Sequence, residues 1–125
     1  MNYRYLVTQP DLNAHGTLHG GILMKWVDEA CGMQARLETE HVCATVHIDS
    51  IDFCDTARLG DVIQIDVGEG SVGNTSITFS ATASVVIPGR EKNLHKVASF
   101  DNVVFVAIDD ENNPVPITSW HKQHV

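Results

Sequence analysis

The chain has 125 residues, the size of one domain, and its 43 % hydrophobic content is that of an ordinary globular protein. Its 16 acidic residues against 8 basic ones give a formal charge of -8, which argues against nucleic acid as a partner and leaves any phosphate-rich ligand to be held by local features. No apolar run approaches the ~20 residues of a membrane span, Met1 to Tyr5 lacks a signal-peptide stretch, and Cys31, Cys43 and Cys54 form neither a CxxC pair nor a disulfide framework, so a cytoplasmic protein with reduced thiols and no membrane partner is expected.

Tyr3 to Val7 predicts a short first strand, stopped by Pro10 and Asp11. A loop rich in turn formers follows, with Asn13, Gly16, Gly20 and Gly21. The chain then predicts a helix from about Ile22 to Leu37, on which Lys25, Glu29, Gly32 and Arg36 share one narrow stripe. Nearly every other position is apolar, from Leu23 and Trp26 to Ala35 and Leu37. Such a helix is expected to be covered around most of its circumference, by a sheet and by a partner subunit.

Strands account for the rest. Val42 to Phe53 begins with Ala44, Val46 and Ile48 on one face and then switches phase to Ile51 and Phe53, which predicts a β-bulge at Asp49–Ser50. Val62 to Val67 follows the Gly60-Asp61 turn. Gly68 to Asn74 predicts a hairpin loop. After it, Ile77, Phe79, Ala81, Ala83 and Val85 alternate with polar residues in a long half-buried strand that ends at Pro88-Gly89. Leu94 to Ile108 is the last strand, Asp109 to Pro116 a turn-rich exit, and the tail from about residue 117 is expected to be loose. The order β-α-β-β-β-β over a single domain, residues 1–125, predicts an α+β hotdog layout: one long central helix wrapped by a curved antiparallel sheet of about five strands. Such a sheet has open edges, so a homodimer at least is expected, with a tetramer or hexamer beyond it.

Asp28 lies off the charged stripe, beside Met24, Cys31 and Ala35 on the wheel. A carboxylate at the edge of an apolar face is costly unless it has a partner or a task; the plain alternative is a solvated helix residue. Glu29, beside Lys25, reads as surface. Gly20 and Gly21 let a ligand approach the backbone at the helix N-terminus, where free N–H groups suit an oxyanion, or they serve only close packing. Asn13 either orients water or a carbonyl from a neighbouring subunit or simply forms an Asx-turn. His15 and His19 have a zinc-compatible spacing, but Gly16 and Gly20 interleave them and no third ligand is near, so neither metal nor cofactor is expected. Either histidine could line a pocket mouth. There is no GxSxG elbow, and Cys31 has no adjacent base.

The segment Asn13-Ala-His-Gly-Thr-Leu-His-Gly-Gly-Ile-Leu-Met-Lys-Trp-Val-Asp28 resembles the opening of the hotdog acyl-CoA thioesterases, the group of small bacterial acyl-CoA hydrolases and the mammalian cytosolic acyl-CoA hydrolase. Ala44 to Phe53 followed by Gly60-Asp61, then Gly73 to Ser76, then Phe105 to Asp109 agree in order, so the resemblance covers about residues 13 to 109. It implies hydrolysis of acyl-CoA to free acid and coenzyme A, with Asp28 as general base or nucleophile and Asn13 paired with it across a dimer interface. The oxyanion then falls to the N–H near Gly21. Coenzyme A would bind partly through Asn74, Thr75 and Ser76, with His19, Gly20, Met24 and Phe53 around the substrate. The chain departs from the family at Cys54-Asp55-Thr56, where a basic residue or Pro is common, and over His95 to Asn102. Arg58, Arg90, Lys92 and Lys96 are left as candidates for the coenzyme A phosphates. Two rivals on the same fold are a 3-hydroxyacyl-thioester dehydratase or hydratase, using His15 or His19 with Asp28, and a non-catalytic acyl-CoA-binding module. The first lacks its His-Phe-Pro-Gly type of loop.

Overall fold

A computed structural model describes residues 1–90 and 93–117. Strand β1 (Asn2–Leu6) leads through a short 3-10 turn (Gln9–Asp11) to helix α1 (Gly20–Thr39). Five strands follow: β2 (Val42–Phe53), β3 (Val62–Val67), β4 (Ser71–Val72), β5 (Ser76–Val86) and β6 (Leu94–Ile108). The sheet runs in the order β1-β3-β5-β6-β2, with β4 added beside β5, and every pairing is antiparallel. It carries six strands, one more than expected, because two residues of the predicted hairpin loop pair with Ile77 and Thr78. The sheet does not close, and β1 and β2 are its two edges.

The helix starts earlier than its apolar pattern. Two glycines depress helix propensity, but His19 caps the first turn, its side chain accepting from the Gly21 N–H. At the other end Glu40 takes the left-handed conformation at φ 63, and its N–H returns to the Arg36 carbonyl. Buried Thr39 donates its hydroxyl to the Ala35 carbonyl at 2.8 Å.

Leu23, Trp26, Val27, Ala30, Cys31 and Ala35 pack into the concave side of the sheet. Against them lie Ile63, Ile65, Ile77, Phe79, Phe100, Val103 and Phe105, all essentially inaccessible. Each such side chain contributes about 1.5–3 kcal/mol by leaving water. Phe79 and Phe105 meet edge to face at 6.2 Å, and Tyr5 stacks on Trp26 at 4.9 Å. The helix is not covered all round within one chain. Met24, Met33 and Leu37 stay exposed, the last at 65 %, next to an edge strand that exposes Val42 and Val46.

The bulge in β2 falls between Thr45 and His47, not at Asp49–Ser50. Its consequence is a reversed phase in the first half of the strand. Cys43 and Thr45 reach the helix, whereas Val46, assigned inward from the sequence, is 56 % exposed. Ile48 and Ile51 both pack on the core. The odd spacing between them is absorbed in both strands at once. The ladder between β2 and β6 keeps register there, while β6 slips one residue against β5 between Phe79 and Ala81. Asn102 sits at that slip with φ 50, its amide donating to Asp49 Oδ2 at 2.6 Å.

The exit segment is anchored. Ile117 is buried, and its N–H donates to the Asn74 carbonyl at 2.9 Å. Residues 118–125, expected as a loose tail, and Lys92 lie outside the described residues.

Candidate active site

The loop before the helix is folded around Asn13. Its side-chain oxygen accepts the N–H groups of His15 and Thr17 at 2.9 and 3.2 Å, and its amide donates to the Thr17 hydroxyl at 3.0 Å. Asn13 is therefore an Asx-turn residue in this chain, with one amide hydrogen left for another partner. Gly16, at φ 78, makes the reversal. Leu18 N–H then donates to the Ala57 carbonyl at 2.8 Å, which docks the helix start on the loop between β2 and β3.

A cavity of about 190 Å³ lies where these pieces meet. Leu18, Leu23, Ala57 and Val97 are its buried apolar lining; Asn13, Thr17, Asp55 and Thr56 are its polar lining, with Gly20 and Phe53 beside them. The Phe53 ring lies over Gly20, 3.6 Å from where a Cβ would stand, and packs edge to face on Phe100. Two backbone donors matter here. The Gly21 N–H is taken by His19 Nδ1 at 3.0 Å. The Gly20 N–H has no partner among the described residues. An oxyanion at the helix start would meet Gly20 first and reach Gly21 only by displacing the His19 ring.

Asp28 is elsewhere. It is half-buried in the middle of α1, and its Oδ1 accepts the Thr45 hydroxyl at 2.6 Å. It does not line the cavity. Thr45 pairs with Phe105 and Phe53 with Ala98, so the two points on β2 are roughly 25 Å apart at the usual rise of a strand. Thr45 was missed in the sequence because the reversed phase had placed it on the outer face. Nearby Cys31 is buried, and desolvation first and the Asp28 charge second push its thiol up to about 12. That thiol is no nucleophile at neutral pH.

The other candidates divide by position. Asn74, Thr75 and Ser76 form the turn into β5, and Ser76 pairs with Val106. Val106 is roughly 30 Å along β6 from the cavity residue Val97. Arg90 sits on the exposed turn after β5, at the cavity end of the sheet, and Arg58 pairs in an isolated bridge with the cavity residue Thr17. Met24 is exposed and outside the cavity, and His15 is an exposed loop residue. Among the described residues no three His, Cys, Asp or Glu side chains are grouped to hold a metal ion, and no helix is long and apolar enough to cross a membrane.

Residues 15–85, more than half of the chain, match the family model of the thioesterase superfamily. The cytosolic acyl coenzyme A thioester hydrolase of Rattus norvegicus is 30% identical over 115 residues, which cover 90% of this chain. The chain spans only 30% of that relative's length. Among solved structures, the hexameric thioesterase of Yersinia pestis superposes with a TM-score of 0.82 at 26% identity, covering 91% of each chain. The acyl-CoA hydrolase of Staphylococcus aureus, solved with butyryl coenzyme A and coenzyme A, superposes with a TM-score of 0.83 at 26% identity, over 93% of this chain and 70% of its own. In that hydrolase an asparagine, an aspartate and a threonine have each been replaced by alanine, and their spacing along its sequence equals that of Asn13, Asp28 and Thr45 here. With the matched family model and the helix-on-sheet architecture together, this chain belongs to the thioesterase superfamily and has the hotdog fold.

Proposed function

We propose that the chain hydrolyses acyl-CoA thioesters to the free acid and coenzyme A, in a site completed by a second copy of itself. The observation that carries this reading is the separation, within one chain, of the Asp28–Thr45 pair from the cavity that holds Asn13 and Gly20. Either half alone lacks something: the cavity's one carboxylate among the described residues, Asp55, has its oxygens engaged by His95 and the Thr56 N–H, and Asp28 does not line the cavity. Two copies joined along the β2 edge and the exposed face of α1 would bury Met33, Leu37, Val42 and Val46 and bring each Asp28 toward the partner's cavity. The hexameric relatives, and the equal spacing of the three residues replaced in the S. aureus hydrolase, support the same assembly and residue set.

Thioester hydrolysis consumes one water and releases a carboxylate, a thiol and a proton. Thr45 occupies Oδ1 of Asp28, which leaves Oδ2 to take a proton from water. The partner's Gly20 N–H, at the positive end of α1, stabilises the oxyanion, with the spare Asn13 amide hydrogen beside it. Collapse of the tetrahedral intermediate expels the thiolate, which takes up the proton. Direct attack by Oδ2 would instead give a mixed anhydride, which water then opens; label found in Asp28 after single turnover in heavy-oxygen water marks that route, with the anhydride opened at the Asp28 carbonyl. The turn at Asn74 to Ser76 is too distant to serve the cavity of its own chain, so in this reading it contacts coenzyme A bound at another subunit, with Arg90 and Arg58 near the cavity end.

His19 uses Nδ1 to cap the helix, which leaves it poorly placed for the proton shuttle of a hydratase. The deciding experiment follows thiol release from acetyl- to palmitoyl-CoA with the purified protein and Asp28→Asn. Turnover that collapses in the variant is the expected result; binding of the thioesters without thiol release would point to a non-catalytic binding module instead.

A further inference from the structure

One cavity carboxylate has no part in the hydrolysis chemistry. Asp55 lines the cavity, and among the described residues no lysine or arginine does. Its Oδ2 is bonded to His95 Nε2 at 2.5 Å, and its Oδ1 accepts the Thr56 N–H at 2.7 Å. The backbone beneath is clamped as well, since the N–H groups of Cys54 and Asp55 both donate to the Val97 carbonyl, at 2.8 and 3.2 Å. Val97 is two residues beyond His95 on β6, so both members of the pair are fixed to the same stretch of strand. The His95 bond first, then the Thr56 bond and, behind it, the His95 and Arg58 charges, hold the Asp55 carboxyl below the usual carboxylate range against a smaller opposing desolvation, so it is anionic at neutral pH.

The rest of the cavity suits a short, uncharged group. Its volume of about 190 Å³ is small, and Leu18, Leu23, Ala57 and Val97 offer only apolar contacts. An anion placed inside would lose water and face a fixed carboxylate whose nearest cationic partners, His95 and Arg58, already act on it.

We infer that Asp55, fixed by His95 in the cavity wall, tunes acyl specificity: it disfavours acyl groups that end in a carboxylate relative to uncharged short ones. The inference rests on the thioesterase reading above. Because the pair is half-exposed, solvent screens the repulsion, and the discrimination from this one charge is about two- to fivefold.

The test compares butyryl-CoA with succinyl-CoA, which match in carbon count and differ in the terminal carboxylate. Values of kcat/KM are measured for the wild-type chain, Asp55→Asn and His95→Gln. The wild type is expected to prefer butyryl-CoA. Asp55→Asn should narrow that preference about two- to fivefold, chiefly through a lower KM for succinyl-CoA, and His95→Gln should narrow it less. An unchanged ratio in both variants overturns the inference while leaving the thioesterase reading intact. Should the wild type turn over neither thioester, equilibrium binding of the two by calorimetry still reads the selectivity, and equal wild-type affinities would overturn the inference; the thioesterase reading itself falls only if no thioester from acetyl- to palmitoyl-CoA is turned over.

Discussion

The Thr45 hydroxyl and the Asp28 carboxylate are joined by a 2.6 Å hydrogen bond that links the edge strand β2 to the middle of α1. A bond of that length fixes one carboxyl oxygen and so the direction of the other. Asp28→Asn should lower kcat on any accepted acyl-CoA by roughly 10² to 10⁴-fold, the range of a lost general base. Thr45→Val should lower kcat by about tenfold with little change in KM, since it loosens the base without touching the substrate. Thr45→Ser, which keeps the donor, should recover most of the loss. A Thr45→Val enzyme with wild-type kcat would remove Thr45 from the mechanism.

If Asp28 and Asn13 act across subunits, two inactive variants can complement each other. Asp28→Asn and Asn13→Ala, each inactive alone, are mixed under conditions of subunit exchange. Half of the dimers then carry one of each chain, and each has one intact site of two, so about a quarter of wild-type activity should return. No recovery, with exchange verified by mass, would place both residues in the same subunit's site.

Leu37 and Met33 bring the same assembly under a separate test. Both are exposed on α1 beside the free edge of β2. Leu37→Glu with Met33→Lys should shift the chain toward monomer by light scattering and remove activity, with the secondary structure retained by circular dichroism. An active monomer would sink the two-subunit site.

Gly20 separates chemistry from packing. A methyl group there would meet the Phe53 ring at 3.6 Å, ordinary contact distance, with no close approach to backbone. Gly20→Ala should fold with unchanged or slightly higher stability, since alanine is the better helix former by about 1 kcal/mol. It should nonetheless lower kcat/KM, because the methyl takes up cavity space between the helix start and the Phe53 ring. The contrast is Gly70, where a Cβ would stand 2.7 Å from Ile77 and 2.9 Å from Phe79; Gly70→Ala should destabilise by a few kcal/mol. Thermal melts of both, beside thiol release, separate the two effects.

The fold was legible because its elements obey simple periods. The near-continuous apolar surface of α1 and the strict alternation along Ser76–Val86 lead to one helix on an antiparallel sheet. The site was legible only in part. Asn13, Gly20 and Phe53 do meet at one cavity. Thr45 was hidden because a bulge reverses the strand phase, and no one-dimensional period records which ladder slips. Asp55 and His95, 40 residues apart, belong together only because the residues after β2 turn back onto β6. The capture of the Gly21 N–H by His19 was equally hidden, since a capping side chain competes for the donor that a free helix N-terminus would offer.

Two exposed carboxylates should leave a mark on stability at low pH. Asp49 is held below its ordinary value of 3.8 by the Asn102 amide first and His47 next, and Asp55 by His95 first and the Thr56 N–H next. Lowered pKa values mean that the folded chain favours the anions more than the unfolded chain does. The stabilisation is therefore complete above the unfolded value and is lost as pH falls through the folded ones. Melting temperature should accordingly decline as the buffer is taken from about pH 5 toward pH 3. In Asp49→Asn with Asp55→Asn, the chain should melt lower at neutral pH, and the difference from wild type should shrink as the acid is added. A gap that stays constant over that range would mean the two carboxylates contribute packing or polarity but no proton-linked stability.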